Sequence, residues 1–152
     1  MTAAIGERVV AAAEGWIGTP YRHQASLKGV GCDCLGLVRG VWREIYGDEP
    51  EAPPAYAPDW AERGSEERLL SAAGRHFLPV GSVDAALPGD VLVFRWRAGC
   101  AAKHIGILCG GGRFIHAYEQ AAVIRSPLVP AWRRKVVAAF RFPAVGGSAG
   151  AG

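Results

Sequence analysis

The sequence predicts an α+β fold in which N-terminal helices pack on a central antiparallel β-sheet. Its first half carries apolar residues at helical spacing, whereas the half after Pro88-Gly89-Asp90 consists of short extended runs separated by turn residues. With 152 residues, of which 50% are hydrophobic and 20% charged, the chain is long enough to bury a core of its own. We therefore expect one globular domain over residues 1–143 and a flexible Gly/Ala-rich tail over residues 144–152.

Three helices are expected in the first half of the chain. Residues 4–16 have the pattern of a helix that ends at Gly15 or Gly18, and residues 18–33 read as a polar, glycine-rich loop. A second helix should span Cys34–Tyr46, where apolar residues recur at helical spacing and Gly47 follows. Residues 47–60 contain four prolines and should form an extended connector to a third helix over residues 62–73.

The second half predicts a sheet of five strands. Residues 76–87, which precede it, are irregular or weakly extended. Each strand is rich in β-branched and aromatic residues and is bounded by turn residues. The strands are expected over residues 91–96, 103–109, 113–118, 122–126 and 136–142.

Cys34 is the first residue of the second predicted helix and a candidate nucleophile. A cysteine in the first helical turn faces unpaired backbone N–H groups and the positive end of the helix dipole. Both favour the thiolate, the nucleophilic form of the side chain. A cysteine at a helix start is more often only a small buried residue, so the interpretation depends on whether the chain supplies a base.

His104 and His116 are the histidines best placed to act with Cys34. They lie on consecutive predicted strands that flank Cys109-Gly110-Gly111-Gly112, a strong hairpin signal. A hairpin centred near Gly110 or Gly111 places the two histidines opposite or nearly opposite, so that one can orient the other. Single histidines in apolar strands are usually structural, and it is the combination with Cys34 that indicates catalysis.

Composition excludes several other classes of function. A net charge of +3 and the short run Arg133-Arg134-Lys135 are too weakly basic for nucleic-acid binding. No apolar run approaches the roughly 20 residues of a membrane span, and no signal peptide is recognised in residues 1–17, so we expect synthesis and folding in the cytoplasm. The spacings of the four cysteines do not fit a structural zinc site, so no metal is expected. A domain of this size does not need disulfides, and the absent signal peptide argues against a disulfide framework.

Four motifs follow one another along most of the chain. They are Asp33-Cys34-Leu35-Gly36-Leu37-Val38, Pro88-Gly89-Asp90-Val91-Leu92-Val93-Phe94, His104-Ile105-Gly106-Ile107 and Phe114-Ile115-His116-Ala117. In this order they resemble the nucleophile motif, the entry to the first central strand, the histidine motif and the third catalytic position of the NlpC/P60 family of papain-like cysteine peptidases, which cut the peptide stems of bacterial cell wall. A further segment, Gly18-Thr19-Pro20-Tyr21, is similar to the opening segment of the family.

The resemblance implies a papain-like NlpC/P60 fold, no cofactor, and a role for each matching residue. Cys34 corresponds to the nucleophile, His104 to the base and His116 to the residue that orients the base. Tyr21 corresponds to a tyrosine that lines the site, and Asp33 to a residue that contacts a substrate amine, although a helix cap explains Asp33 equally well. Most of the family has serine where this chain has Leu35, which puts recognition of a free stem amine in question.

The form of the nucleophile motif resembles the branch found in tailed phages and gene transfer agents. It implies an endopeptidase that acts on peptidoglycan stem peptides, at the γ-D-glutamyl-diaminopimelate bond, and that assembles with tail or baseplate hub proteins. Such a protein is made in the bacterial cytoplasm, carried at the tail tip and active in the periplasm of the recipient cell. Two alternatives remain open: a catalytically silent tail component, and a papain-like amidase or acyltransferase with another substrate.

Overall fold

The computed structural model describes residues 2–50 and 68–145 and shows helices packed against an antiparallel sheet. The first two helices confirm the sequence prediction: α1 spans Thr2–Glu14 and α2 spans Cys34–Tyr46. The third, α3, is described over Arg68–His76, so it ends three residues later than expected, and its predicted start lies outside the described residues. Most of the proline-rich connector and of the predicted tail also lies outside them.

All five predicted strands are present, with bounds that shift by one or two residues. They are β4 (Val91–Phe94), β5 (His104–Cys109), β6 (Arg113–Ala117), β7 (Val123–Pro127) and β8 (Val136–Arg141). Together with β3 (Leu78–Val80) they make the main sheet of the described residues, in the order β3-β8-β4-β5-β6-β7, and each neighbouring pair is antiparallel. The three strands that carry motifs, β4, β5 and β6, are therefore neighbours in the sheet.

Several short elements of the described residues were not expected from the sequence. The predicted loop at residues 18–33 contains a small hairpin, β1 (Ser26–Leu27) with β2 (Gly31–Cys32), and the weakly extended segment contains the edge strand β3 (Leu78–Val80). A single helical turn, α4 (Pro130–Arg133), precedes β8. Elements of two to four residues are too short to show a hydrophobic period, and Pro79 within β3 disfavours a strand in sequence terms.

The sheet separates two apolar clusters. On one face, α1 and α2 cover a large core that includes Leu37, Val41, Ile105 and Ile107. On the other face, a smaller cluster of Leu92, Phe94, Phe114 and Ala139 is covered in part by Trp132 of α4. Side chains that alternate along β5 and β6 therefore enter two different environments, one beneath the helices and one beneath aromatic rings.

Gly36 lets the loop that precedes α2 approach the first turn of this helix. A Cβ built at Gly36 would lie 1.9 Å from the carbonyl oxygen of Ala25, which no side chain tolerates. The close approach also lets the hydroxyl of Ser26 donate to the carbonyl of Gly36 at 2.6 Å. The first turn of α2 is thereby fixed against the β1–β2 hairpin.

Asp90 joins the start of β4 to the end of β8. Its side chain is 2% exposed and accepts two hydrogen bonds from Arg141, at 2.9 Å from Nε and 2.8 Å from Nη2. It also accepts from the backbone N–H of Leu87 at 2.8 Å. This bidentate contact fixes the Pro88-Gly89-Asp90 turn, where Gly89 has φ +98°.

Among the helices that the structure describes, none combines the length and the apolar character needed to span a bilayer.

Candidate active site

Asp33 caps the N-terminus of α2 and so determines where the helix begins. Its backbone is extended (φ −99°), and Oδ1 accepts from the N–H of Gly36 at 2.7 Å. Oδ2 accepts from the backbone N–H of Gln24 at 2.8 Å. The side chain is nearly inaccessible, at 2% exposure. The helix-cap interpretation of Asp33 is therefore confirmed, and each carboxylate oxygen accepts a hydrogen bond from one backbone N–H group.

Cys34 is the first residue of α2, and its sulfur lies against the start of β5. The thiol donates to the backbone carbonyl of Lys103 at 3.6 Å. The backbone N–H groups of Ile105, Leu35 and Cys34 itself also interact with the sulfur. The helix start thus places the sulfur beside the residue that precedes His104, at a point where several N–H groups converge.

The expectation that the helix start favours the thiolate of Cys34 is wrong for the resting protein. Burial, and after it the neighbouring carboxylate of Asp33, raises the pKa of the thiol from 9.0 to about 12. The three backbone N–H groups lower the pKa but do not outweigh these two effects. Cys34 is therefore a neutral thiol at pH 7, and removal of its proton requires a base.

His104 and His116 are in direct contact, as the hairpin predicted. Nε2 of His104 lies 2.8 Å from Nδ1 of His116. The contact is diagonal rather than directly across, because Ile107 pairs with Ile115 and the same register places Gly106 opposite His116. The absent side chain of Gly106 gives His116 the room to reach along the sheet, since a Cβ at Gly106 would lie 3.2 Å from the Cβ of His116.

Both histidines are uncharged at neutral pH. Burial, followed by the neighbouring His116 and Lys103, lowers the pKa of His104 from 6.5 to about 3. Burial lowers the pKa of His116 from 6.5 to about 4. The two histidines are therefore weak bases in the resting protein. His104 and Cys34 are both uncharged there, one as a neutral imidazole and the other as a thiol.

Ser126, which no sequence motif indicated, continues the line of contacts beyond His116. Its Oγ lies 2.8 Å from Nε2 of His116. Ser126 is on β7, where Phe114 pairs with Ser126 and His116 pairs with Ile124, so the serine is one diagonal step from His116. The register of the β6–β7 hairpin is the signal that would have located it.

A cavity of about 530 Å³ opens at these residues. It brings together five of the six residues selected from the sequence, while His116 lies behind His104. It also contains charged and aromatic side chains that sequence motifs did not indicate. The five are Tyr21, Asp33, Cys34, Leu35 and His104, and the additional residues include Lys103, Trp96, Tyr118, Glu119 and Trp132.

Tyr21 and Leu35 form part of the cavity wall next to the sulfur. Burial, and after it the proximity of Cys34, raises the pKa of Tyr21, so its phenol remains a hydrogen-bond donor. Leu35 is half-buried and presents an apolar surface. The wall beside Cys34 therefore combines one neutral donor with one group that forms no side-chain hydrogen bond.

No group of three or more potential metal ligands is present among residues 2–50 and 68–145. All four cysteines are free, and Cys32 is fully buried in the core beneath α2.

The sequence and the fold are both similar to those of known proteins. The sequence model described as the NlpC/P60 family matches residues 18–141. A gamma-DL-glutamyl hydrolase of Bacillus subtilis is 33% identical over 135 residues, which cover 88% of this chain and 29% of the relative. A murein DD-endopeptidase/murein LD-carboxypeptidase (MepS) of Escherichia coli K12 is 29% identical over 121 residues, which cover 79% of this chain and 54% of the relative. The chain thus spans between about a third and about half of the length of these two relatives.

Among solved structures, the NlpC/p60 domain of the peptidoglycan hydrolase SagA superimposes with a TM-score of 0.61 at 25% identity. The superposition covers 90% of this chain and 98% of that domain.

Proposed function

The chain belongs to the NlpC/P60 family, and on that premise we propose that it is a cysteine endopeptidase that hydrolyses peptide stems of peptidoglycan. It has the papain-like α+β fold of that family. The observation that carries the proposal is the convergence of Cys34 and His104 on one cavity, with His116 hydrogen-bonded behind His104. The names of the murein endopeptidase and of SagA support the choice of substrate.

The proposed reaction proceeds through a thioester. Nε2 of His104 faces His116, so Nδ1 is the ring nitrogen that takes the proton of Cys34 as the sulfur attacks the scissile carbonyl carbon. The C–N bond then breaks, and the leaving amine receives the proton from His104. Water attacks the thioester with His104 again as the base, which releases the acid and restores the thiol. Backbone N–H groups at the start of α2, with the phenol of Tyr21, are the candidate donors to the oxyanion.

Incubation of the purified protein with peptidoglycan and with a synthetic stem tetrapeptide tests the proposal. Wild type should release new primary amine, and Cys34→Ala should release none while retaining the wild-type melting temperature. Because Cys34 is half-buried at the cavity, its truncation should not disturb the fold. Equal release by wild type and Cys34→Ala would exclude a thiol peptidase.

We propose the γ-D-glutamyl-diaminopimelate link as the bond that is cut. Support comes from the family motifs and from the relative named a gamma-DL-glutamyl hydrolase. Leu35 lines the cavity without a polar side-chain group, so the site should not distinguish a free stem amine from a blocked one. A pair of stem peptides, one with a free N-terminus and one N-acetylated, should therefore have similar kcat/KM, and Leu35→Ser should favour the free amine selectively.

We also propose that the enzyme is carried with hub proteins at the tail or baseplate of a phage-like particle. In this proposal it is assembled in the cytoplasm and opens the wall from the periplasm of the recipient cell during DNA delivery. Support comes from the form of the motif that begins at Asp33. Particles that carry Cys34→Ala should assemble normally, deliver DNA poorly to walled cells and deliver it normally to spheroplasts. Equal delivery to both by wild-type and variant particles would contradict the proposal.

The second candidate function is a structural tail component with no activity. The raised pKa of Cys34 and its hydrogen bond to the Lys103 carbonyl favour this alternative. It predicts no amine release from any stem peptide by wild type, and loss of particle assembly when the protein is removed. Assembly without the protein, together with amine release that requires Cys34, would exclude it.

A further inference from the structure

His116 has two ring nitrogens, and the structure gives each a different partner. Nδ1 lies 2.8 Å from Nε2 of His104, and Nε2 lies 2.8 Å from Oγ of Ser126. The ring itself is fully buried. The rings of Phe114 and Trp132 lie beside it, with centroids at 4.2 Å and 5.2 Å. A buried N–H in such surroundings needs an acceptor, and Ser126 offers one.

The two tautomers of His116 have opposite consequences for His104. If Nε2 of His116 carries the proton, Nδ1 accepts from Nε2–H of His104, and Nδ1 of His104 is then unprotonated. If Nδ1 of His116 carries the proton, it donates to Nε2 of His104, and the proton of neutral His104 must lie on Nδ1. Only the first arrangement leaves the base able to take a proton from Cys34.

The Ser126 hydroxyl can accept from Nε2–H of His116, with its own proton rotated away, or donate to an unprotonated Nε2. Only the accepting geometry belongs to the tautomer that leaves Nδ1 of His104 free to take a proton from Cys34. We propose that Ser126 is a positioning residue that holds His116 in the Nε2–H tautomer and thereby keeps Nδ1 of His104 free to act as the base. The three side chains lie one diagonal step apart on neighbouring strands β5, β6 and β7. In this arrangement Nε2–H of His104 donates to Nδ1 of His116, and Nε2–H of His116 donates to Oγ of Ser126.

This inference extends the proposed thiol chemistry, but its first test does not depend on hydrolysis. Two-dimensional NMR of protein labelled with ¹⁵N-histidine distinguishes Nδ1–H from Nε2–H by the nitrogen shifts. Wild-type His116 should be the Nε2–H tautomer at pH 7. Ser126→Ala should contain a substantial population of the Nδ1–H form, and Ser126→Thr, which retains the hydroxyl, should restore the wild-type pattern.

The kinetic test compares Ser126→Ala with a control on the same strand. Ser126→Ala should lower kcat by about tenfold with little change in KM, because it removes one hydrogen bond of a buried group that lies behind the cavity wall. Val123→Ala is the matched control: it also removes side-chain volume from β7, but on the opposite face, where Val123 is fully buried beneath the helices. This control should lose stability yet retain the wild-type His116 tautomer and most of its kcat.

A wild-type His116 in the Nδ1–H form would overturn the proposal, even if Ser126→Ala failed to fold. An unchanged tautomer in Ser126→Ala, or a fall in kcat no larger than that of Val123→Ala, would also overturn it. If wild type releases no amine from any stem peptide, the proposed function fails, while the NMR result still decides the role of Ser126.

Discussion

Replacing Gly106 with alanine is the sharpest test of how the sheet brings the two histidines together. The new Cβ would lie 3.0 Å from Cδ2 of Phe114 and 3.2 Å from the Cβ of His116. Ordinary carbon–carbon contacts are about 3.5–4.0 Å, so β5 and β6 must separate, or His116 must move, by about 0.5 Å. The same movement lengthens the contact between the histidine nitrogens from 2.8 Å. At about 3.3 Å it exceeds the usual range of such hydrogen bonds.

We expect Gly106→Ala to lower the free energy of unfolding by about 1–3 kcal/mol, as other overpacked sites do. The proposed hydrolysis should decrease further than the stability change explains, by about tenfold in kcat, because misplacing a catalytic group by 1 Å costs on the order of a hundredfold. Urea denaturation and amine-release kinetics measure the two quantities on the same protein preparation.

Gly110→Ala is the matched control for Gly106→Ala. It makes the same substitution in the β5–β6 hairpin, where the added Cβ has nothing within 4 Å and φ is outside the left-handed region. Its activity and stability should remain near wild type. If Gly106→Ala retains wild-type kcat while its stability falls, the diagonal contact between His104 and His116 is not what supports the reaction, and the reasoning fails.

Three further outcomes follow from the buried polar groups. Asp33→Ala should lower the free energy of unfolding by about 2 kcal/mol, because two backbone donors lose their acceptor. Urea denaturation measures this loss, and a loss below about 0.5 kcal/mol would contradict the capping role of Asp33. Because His104 and His116 have folded pKa values of about 3 and 4, below the 6.5 of the unfolded chain, stability should be complete above pH 6.5 and be lost as pH falls toward 4. The loss should already be measurable at pH 5, and thermal melts of the His→Gln variants should show a flatter pH dependence. Asp90→Ala leaves Arg141 without its bidentate partner and should lower the melting temperature more than the double variant Asp90→Ala/Arg141→Met does; the opposite order excludes a stabilising pair.

Local sequence patterns were sufficient to predict the elements that bear the site. The helix over Cys34–Tyr46 has both a start signal and a stop signal, so its bounds were predicted without error. The contact between His104 and His116 followed from the glycine-rich turn, because the turn fixes the register of the two strands. What these predictions share is that each depends on residues close together in sequence.

The features that could not be predicted depend on distant residues. The pKa of Cys34 is set by its enclosure between α2 and β5, and a helix start alone indicates the opposite direction. The aromatic wall of the cavity includes Trp132, which is far from the motifs in sequence and reaches the site on the single helical turn α4. Ser126 required the register of a second hairpin, whose turn residues give no comparably strong signal.

The neutral state of Cys34 has a consequence for the chemical durability of the protein. Burial, and after it the carboxylate of Asp33, holds the pKa of the thiol far above 7, so the thiolate is a rare form at that pH. The thiolate, rather than the thiol, attacks peroxides and disulfides, so the unoccupied protein should survive storage in air and in oxidising surroundings without a reductant. Reactivity then arises only when a bound electrophile lies beside the sulfur while His104 takes the proton. Inhibitors that occupy the cavity before they react should therefore label Cys34 faster than small general alkylating agents do.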